Sequence, residues 1–369
     1  MHTAPLRELT TATGPFASIY FDSSHDTEDA AKQLELRWRA LRDQLAADGA
    51  PESLLSLLDD AVASGPPAVG RSGRAIIANA DGVQVDRVLA EPPPRSVVRY
   101  SPLPYLLPLA RHSAQPVSHV VALVDSTGAN LRAVDRNGET LATPTVRGED
   151  HPVHKARAGG EAHRSMQKHA EETVKHNITD VAHEVDQLVS RVGARTLVIA
   201  GEVQARRALR DALSPRSRDM AHELDSNPDT GRLDEHTDLA ALDDEVNETL
   251  AQQRNAQLRD LVERFHAEFE RDGGLAVQGL DQAIPVLRTA NAATVLISDP
   301  QVADRLIWAG TDPAQVALHE SDELGTGEPS KQRADEAIPM AAIAVNAELV
   351  CEPDELALTD GIGVLLRHP

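Results

Sequence analysis

The sequence predicts a mixed α/β protein of three domains, in which mixed sheets are flanked by helices. The apolar run 194–203 has the character of a buried strand, and a helical pattern follows it after a short turn, which is typical of α/β folds. A chain of 369 residues is long enough for two or three domains. A proline-rich stretch at 91–116 and Gly273-Gly274 divide it, and we place the domains at 1–115, 116–272 and 273–369.

The first domain combines a strand, two helices and a hairpin. Residues 15–22 are predicted as a strand, and apolar residues recur at helical spacing over 27–47. Pro51 is well placed in the first turn of a second helix. Asp81-Gly82 then forms the turn of a predicted hairpin.

The middle domain begins with three strand-like runs between 117 and 146 and continues through a loop into a long helix at about 161–192. The strand and helix that begin at 194 follow it. The acidic stretch 217–247 is expected to be a surface loop or insertion, and a long polar helix is predicted at about 240–270.

The last domain is predicted as an alternating α/β unit of about a hundred residues. A helix and a buried strand occupy 275–300, and apolar runs return at 337–353 and 361–369. Between them, 322–336 is expected to be a polar, mobile loop.

Composition and charge limit the classes of function. The formal net charge is -22, so the chain as a whole is repelled by nucleic acid, and any RNA contact must come from a local patch. The single cysteine, Cys351, excludes an intramolecular disulfide and indicates a reducing cytoplasm. No signal-peptide pattern begins the chain, and no apolar run approaches the roughly 20 residues of a membrane helix. We therefore expect a cytoplasmic protein without a membrane partner.

A local basic patch does exist. Of the five lysines, three fall between 155 and 175, together with two arginines and several histidines. A solvated, salt-bridged helix face is the ordinary explanation of such a segment. The concentration of lysine in one part of an acidic chain favours a functional patch.

The motifs of common enzyme classes are missing from the sequence. His163, His169 and His176 are spaced by six and seven residues, whereas metal ligands on a helix are usually three or four apart. The chain has neither a phosphate-binding loop of the G-x-x-x-x-G-K-[ST] type nor a G-x-S-x-G elbow. We therefore predict no catalytic residue, no metal and no cofactor.

The segment 155–185 resembles the region around the catalytic loop of archaeal and eukaryotic class-one release factors. That family presents Gly-Gly-Gln on a basic loop, followed by a long basic helix. Gly159 and Gly160 match the glycines, Lys155 and Arg157 match the basic lead-in, and His176-Asn177 resembles a His-Asn pair of the family. The strand-Ala-Gly-helix at 196–209 and the run from Gly361 to Arg367 are also similar to release factors and Pelota, so the resemblance covers nearly the whole chain in order.

Two departures from the family pattern bear on activity. Glu161 stands where the family has glutamine, which removes an amide donor and adds negative charge next to RNA. The Asn-Ile-Lys-Ser loop of stop-codon readers is missing, and the corresponding region, 31–42, is a plain amphipathic helix. Without an RNA partner, the two glycines and Glu161 could simply form a tight turn and an acidic start to the helix.

The resemblance, with these departures, implies a bacterial member of the release factor and Pelota superfamily, similar to Balon-like hibernation factors. Such a protein occupies the vacant A site of an idle ribosome without releasing peptide, between the decoding centre and the peptidyl-transferase centre, and contacts a translational GTPase, here elongation factor Tu. The implied RNA-binding residues are Lys155, Arg157, Gly159, Gly160, Glu161, His163, Arg164 and Lys168. Two alternatives remain open: a peptidyl-tRNA hydrolase or ribosome-rescue factor that uses Glu161 to orient water, and a stress-related protein interaction module.

Overall fold

A computed structural model describes the protein at residues 1, 3–25, 29–65, 71–89, 91–112, 117–135, 140–141, 145–147, 161–224, 240–298, 302, 305–320, 322, 324–325, 327–351 and 356–369. At 112, 161–171, 240 and 241 only the backbone is described. The chain forms two compact units, 1–114 with 261–369, called unit 1 here, and 115–260, called unit 2. The predicted α/β class is confirmed, because both units combine sheets with helices.

The first segment of unit 1 is an antiparallel sheet with two helices on one face. Its strand order is β3-β2-β1-β4. Period-two alternation gives the central strand β1 two apolar faces. Phe16 and Tyr20 enter one core, while Ala17, Ile19 and Phe21 pack under the first two helices. The elements are β1 Phe16–Asp22, α1 Ala30–Ala47, α2 Glu52–Ala63, β2 Gly73–Asn79, β3 Gly82–Leu89, β4 Val97–Ser101 and α3 Leu107–His112.

Unit 2 is a mixed sheet covered on both faces, as the strand-turn-helix pattern predicts. The strand order is β10-β9-β5-β6-β7, with β8 also paired to β6, and β5, β9 and β10 run parallel. Helices α4 and α5 cover one face, and the first half of α7 packs Leu242, Val246 and Leu250 on the other. The elements are β5 His119–Val124, β6 Gly128–Val134, β7 Thr140–Leu141, β8 Thr145–Arg147, α4 Glu161–Val192, β9 Thr196–Gly201, α5 Val203–Ala212, α6 Pro215–Asp219, β10 Ala221–Glu223 and α7 Ala240–Glu270.

The third segment completes unit 1 with two further sheets, ordered β11-β17-β12-β16 and β14-β13-β15. The region 322–336, predicted as a polar loop, contains β15 and the start of α9 instead. The elements are β11 Ala276–Gln278, α8 Leu280–Arg288, β12 Ala292–Ile297, β13 Leu306–Ala309, β14 Val316–Ala317, β15 Ser330–Arg333, α9 Ala334–Ala344, β16 Glu348–Cys351 and β17 Ile362–Leu366.

The first and third segments of unit 1 share one hydrophobic core. Leu6 and Leu9, on a 3₁₀ helix at Ala4–Thr10, belong to the same cluster as Ile338 and Met340 of α9. Thr3 Oγ1 also donates a hydrogen bond of 2.8 Å to the carbonyl of Ala347. The division into three domains, at 1–115, 116–272 and 273–369, stays a prediction.

Candidate functional site

Half of the predicted RNA-binding residues lie outside the described residues. This applies to Lys155, Arg157, Gly159 and Gly160, while the backbone alone is described for the other predicted residues, which are Glu161, His163, Arg164 and Lys168. Glu161 is the first residue of α4, at the positive end of the helix dipole.

Helical register groups three basic positions along α4. Positions 164, 168 and 175 are separated by four and seven residues, so they fall on one stripe of the helix. Lys175, whose side chain is described, is exposed to solvent. The same stripe includes position 171, which is a glutamate, so the basic positions alternate with an acidic one along this face of the helix.

The predicted His-Asn pair divides into an exposed and a buried member. His176 faces solvent and its Nε2 lies 3.5 Å from Asp180 Oδ2, one turn further along the helix. Asn177 is buried, and its Nδ2 donates to the carbonyl of Ser126 at 3.4 Å. Asn177 therefore connects α4 to the β5–β6 turn, which Asp125 closes by accepting hydrogen bonds from Thr127 and Gly128. This hydrogen bond gives Asn177 of the His-Asn pair a structural role within unit 2 that needs no contact to RNA.

A groove of about 610 Å³ separates α4 from α5 within unit 2. Val174, Ile178, Ala205 and Ala208 form apolar parts of its wall, and Lys175 lies among its polar lining residues. None of the described residues that line it is a histidine or a cysteine. The groove therefore combines an apolar wall with charged side chains, which are those of Lys175, Glu202 and Asp211.

Gly201 is required by the close approach of two strands where β9 ends. Its φ of +109° is unfavourable for other residues, and a Cβ there would lie 2.1 Å from the carbonyl oxygen of Val124. The Ala-Gly step before α5 is therefore a packing requirement of the sheet.

The run from Gly361 to Arg367 also has a structural role. Gly361 has a φ of +72°, and a Cβ at Gly363 would lie 2.7 Å from the ring of Phe265. Arg367 donates from Nη1 to the carbonyl of Ala290 and from Nη2 to those of Val345 and Asn346, at 2.8, 2.9 and 2.9 Å. These carbonyls follow α8 and α9, so the arginine ties the two helix ends together.

The helix at the position of the family's codon-reading loop is fixed by its own side chains. Trp38 Nε1 donates to Asp59 Oδ1 at 2.8 Å, and Arg42 bonds Asp59 and Glu52. Residues 31–42 thus lie within α1, packed on α2. This agrees with the helix that the sequence predicts there.

Sequence reasoning missed a buried cluster of ionisable groups in unit 1. Asp335 and Glu336, at the start of α9, have side chains only 0% and 1% exposed. Arg99 Nη1 on β4 donates to Asp335 Oδ2 at 3.0 Å and to Glu336 Oε1 at 2.9 Å, and its guanidinium stacks 3.5 Å above the ring of Tyr105. Burial raises the pKa of Glu336 above its ordinary value in spite of the arginine. The acidic Asp-Glu pair was visible in the sequence, but its partner lies 236 residues away.

The described residues contain neither a candidate metal site nor a candidate membrane-spanning helix. No group of three or more histidine, cysteine, aspartate or glutamate side chains is arranged to hold a metal ion. Within the same part of the chain, no helix is both long enough and apolar enough to cross a membrane.

Comparison with known proteins places the middle of the chain in a described family. The sequence model of bacterial archaeo-eukaryotic release factor family 2 matches residues 118–271. A protein of Mycobacterium tuberculosis, described as uncharacterized and present in two strains, is 36% identical over 372 residues, covering 100% of this chain and 97% of the relative.

Solved structures with detectable similarity include those of archaeal translation proteins. Pelota in a model of ribosome-bound archaeal Pelota and ABCE1 is 14% identical, with a TM-score of 0.41 over 99% of this chain and 93% of that one. Archaeoglobus fulgidus Pelota is 12% identical, with a TM-score of 0.38 over 100% and 92%. The archaeal termination factor aRF1 is 14% identical, with a TM-score of 0.26 over 98% and 96%.

Proposed function

The chain belongs to bacterial archaeo-eukaryotic release factor family 2, and we propose that it is a ribosome-binding hibernation or stress factor that occupies the vacant A site without releasing peptide. The observation that carries the proposal is Glu161, which stands at the first position of α4 in place of the glutamine of release factors. A member of this family thus has glutamate at the position where the resemblance implies the glutamine of peptide release.

The chemistry of this exchange argues against hydrolysis. A glutamine side chain can donate a hydrogen bond toward negative charge that develops when water attacks an ester, and an ionised carboxylate cannot. The carboxylate would therefore oppose the transition state that the amide supports.

The amino-terminal segment supports occupancy without codon reading. In the proposed complex this segment would face the decoding centre with helix α1. Trp38 and Arg42 of that helix already bond Asp59 within the protein. Unit 2 would reach toward the peptidyl-transferase centre, and the carboxyl-terminal segment would contact a translational GTPase, elongation factor Tu. Lys155, Arg157, Arg164 and Lys168 would bind phosphates of ribosomal RNA, so binding should weaken as salt is raised.

The test is co-sedimentation of the purified protein with vacant ribosomes, with and without tRNA in the A site. We expect the protein to pellet with vacant ribosomes and to be displaced by the tRNA. Reversing Arg157 and Lys168 to glutamate should largely abolish pelleting. The matched control reverses Arg259 and Arg264, two exposed arginines of α7, and should pellet normally. Pelleting that A-site tRNA does not affect, or equal behaviour of the two variants, would contradict the proposal.

A second candidate function rests on the same loop. Gly159-Gly160 followed by a carboxylate could place Glu161 as a base for water at the ester of peptidyl-tRNA, which would make the protein a hydrolase or rescue factor. Peptidyl-tRNA hydrolysis by the native protein, by Glu161→Gln and by Gly160→Ala distinguishes the two functions. A clear native rate that Gly160→Ala removes would favour the enzyme. If no variant binds ribosomes, a stress-related interaction module becomes the better hypothesis.

A further inference from the structure

Unit 2 contains a second concentration of positive charge that the family resemblance does not include. Between 191 and 219 the sequence has seven arginines against three acidic residues, in a chain whose net charge is -22. The arginines are separated along the sequence, so they form no run that a scan for basic segments would find.

The topology of the sheet brings four of these arginines to one edge. Strands β9 and β10 are parallel neighbours and begin at the same edge, where Leu197 pairs with Ala221 and its N–H donates to Met220 at 3.0 Å. Arg195 immediately precedes β9, and Arg191 is in the last turn of α4, just before it. Arg216 and Arg218 lie on α6, which leads into β10. We call this set, Arg191, Arg195, Arg216 and Arg218, the arginine edge.

Hydrogen bonds fix the backbone of the arginine edge. Ser214 caps α6, and both its N–H and its Oγ donate to the carboxylate of Asp186 on α4, at 3.1 and 2.8 Å. The guanidinium of Arg218 donates to the carbonyls of Arg210, Asp211 and Leu213, which close the end of α5. The corner between α5 and α6 is therefore held before any partner arrives, which lowers the entropy lost on binding.

Three arginines of this edge remain available to a ligand. Arg191, Arg195 and Arg216 are exposed, and none of them forms an ion pair with another residue in the described parts of the chain. Asp211 and Asp219 are the exposed carboxylates nearby in sequence, so the arginines outnumber them. A partner with several negative charges would find a net positive surface here.

We propose that the arginine edge binds the phosphate backbone of RNA. Guanidinium groups match phosphate oxygens with two parallel hydrogen bonds, and contacts to the backbone need no sequence. A protein partner is disfavoured because no large exposed apolar side chain among the described residues belongs to α6 or to the segment 191–195 that precedes β9, and protein interfaces need such anchors at their centre.

The arginine edge lies at the opposite end of α4 from Glu161. With about 1.5 Å per helical residue, the 30 steps from Glu161 to Arg191 span roughly 45 Å. Unit 2 would therefore hold RNA at two separated points. The inference adds to the proposed function without depending on it, because phosphate binding at this edge needs neither a ribosome nor an A site.

The test compares Arg195→Glu/Arg216→Glu with the control Arg259→Glu/Arg264→Glu, which makes the same change in net charge on α7. Affinity is measured over a series of salt concentrations for two ligands, vacant ribosomes and a protein-free RNA hairpin. We expect the arginine-edge variant to bind the hairpin at least about tenfold more weakly, with the slope of log affinity against log salt reduced by about two, one for each lost phosphate contact. Arg195→Lys/Arg216→Lys keeps the charge and should retain most of the binding.

The outcomes separate this inference from the proposed function. Wild-type protein that binds the hairpin through the arginine edge but does not pellet with ribosomes would support the edge and contradict the proposed function. Equal affinity and equal salt dependence of the edge variant and the wild type would overturn the inference, as would equal losses in the edge and control variants. Unchanged far-ultraviolet circular dichroism of both variants would show that they fold.

Discussion

Arginines are used differently in the two compact units. In unit 1, Arg74 is buried and bonds both carboxylate oxygens of Asp86, at 2.8 and 2.7 Å, and Arg99 is shared between two buried carboxylates. In unit 2, Arg195 and Arg216 face solvent, without an ion pair to any described residue. The same residue type thus stabilises the interior at Arg74 and Arg99 and leaves positive charge on the surface at Arg195 and Arg216.

The difference shows how an acidic chain can still contact RNA. An arginine that is bonded to buried carboxylates is held in the interior by them, and its removal takes a partner away from a buried carboxylate. An exposed arginine contributes little to folding, so it can be changed at small cost and is available for phosphate. Substitution of an internally bonded arginine should therefore lower the free energy of unfolding of its unit, whereas substitution of an exposed arginine should change it little.

The largest expected effect comes from Arg99→Met, which keeps an apolar stem and removes the charge. Glu336 would then lose its arginine while buried, whereas Asp335 would keep its ion pair with Arg333, and we expect the free energy of unfolding of unit 1 to fall by about 3 kcal/mol. Both tryptophans, Trp38 and Trp308, belong to unit 1, so tryptophan fluorescence during urea unfolding reports on that unit.

The control for this change is Arg216→Met in unit 2, which should leave the fluorescence transition where it is in the wild type. A loss below about 1 kcal/mol for Arg99→Met, within the range of surface pairs, would contradict the contrast between the units.

A smaller loss is expected for Arg367→Ala. This change removes three hydrogen bonds to the carbonyls that follow α8 and α9, and we expect about 1–2 kcal/mol because the freed carbonyls can be solvated in part. Arg39→Ala is the matched control, since Arg39 is exposed and pairs only with Glu35 on the same helix among the described residues. If the two variants unfold at the same urea concentration, the proposed role of Arg367 at the helix ends is wrong.

Arg218→Ala sharpens the comparison within unit 2. Although Arg218 belongs to the arginine edge, its donors are bonded to three backbone carbonyls at the end of α5. We expect a loss of about 1 kcal/mol in unit 2, measured as thermal unfolding by far-ultraviolet circular dichroism, with much less effect on RNA binding than Arg195→Ala. The reverse order, with RNA binding lost and stability unchanged, would place Arg218 among the binding residues.

Much of the fold followed from local patterns, and the exceptions have physical reasons. Strand β1, the hairpin at Asp81-Gly82 and the long helix α4 all have periodicity over enough residues to be recognised. Strands β7 and β10 have two and three residues, too few for a period. The Asp335-Glu336 step was assigned to a polar loop because its buried partner, Arg99, is distant in sequence.

The candidate site was predicted from resemblance, and the structure describes little of it. Glu161 begins α4 where the sequence places the helix start, while its proposed contacts stay predictions. The arginine edge was missed because Arg195 and Arg216 are brought together only by the parallel pairing of β9 and β10. A pattern that depends on strand order cannot be found by scanning a linear sequence.

The last prediction concerns the pH dependence of unit 1. Burial raises the pKa of Glu336 above 4.5, so between pH 4.5 and that higher pKa the folded protein holds a proton that the unfolded chain has released. The stability that this group contributes is therefore complete below pH 4.5 and is lost as the pH rises through its folded pKa. Glu336→Gln imitates the protonated carboxyl and removes the dependence.

Urea unfolding of both proteins, followed by tryptophan fluorescence at several pH values from 4.5 upward, measures this difference. We expect the wild type to lose stability relative to Glu336→Gln as the pH rises. A difference between the two proteins that stays constant over this range would mean that Arg99 keeps Glu336 ionised throughout. Arg99 would then compensate fully for the burial of the carboxylate, and the Arg99–Glu336 pair would stay ionised at every pH measured.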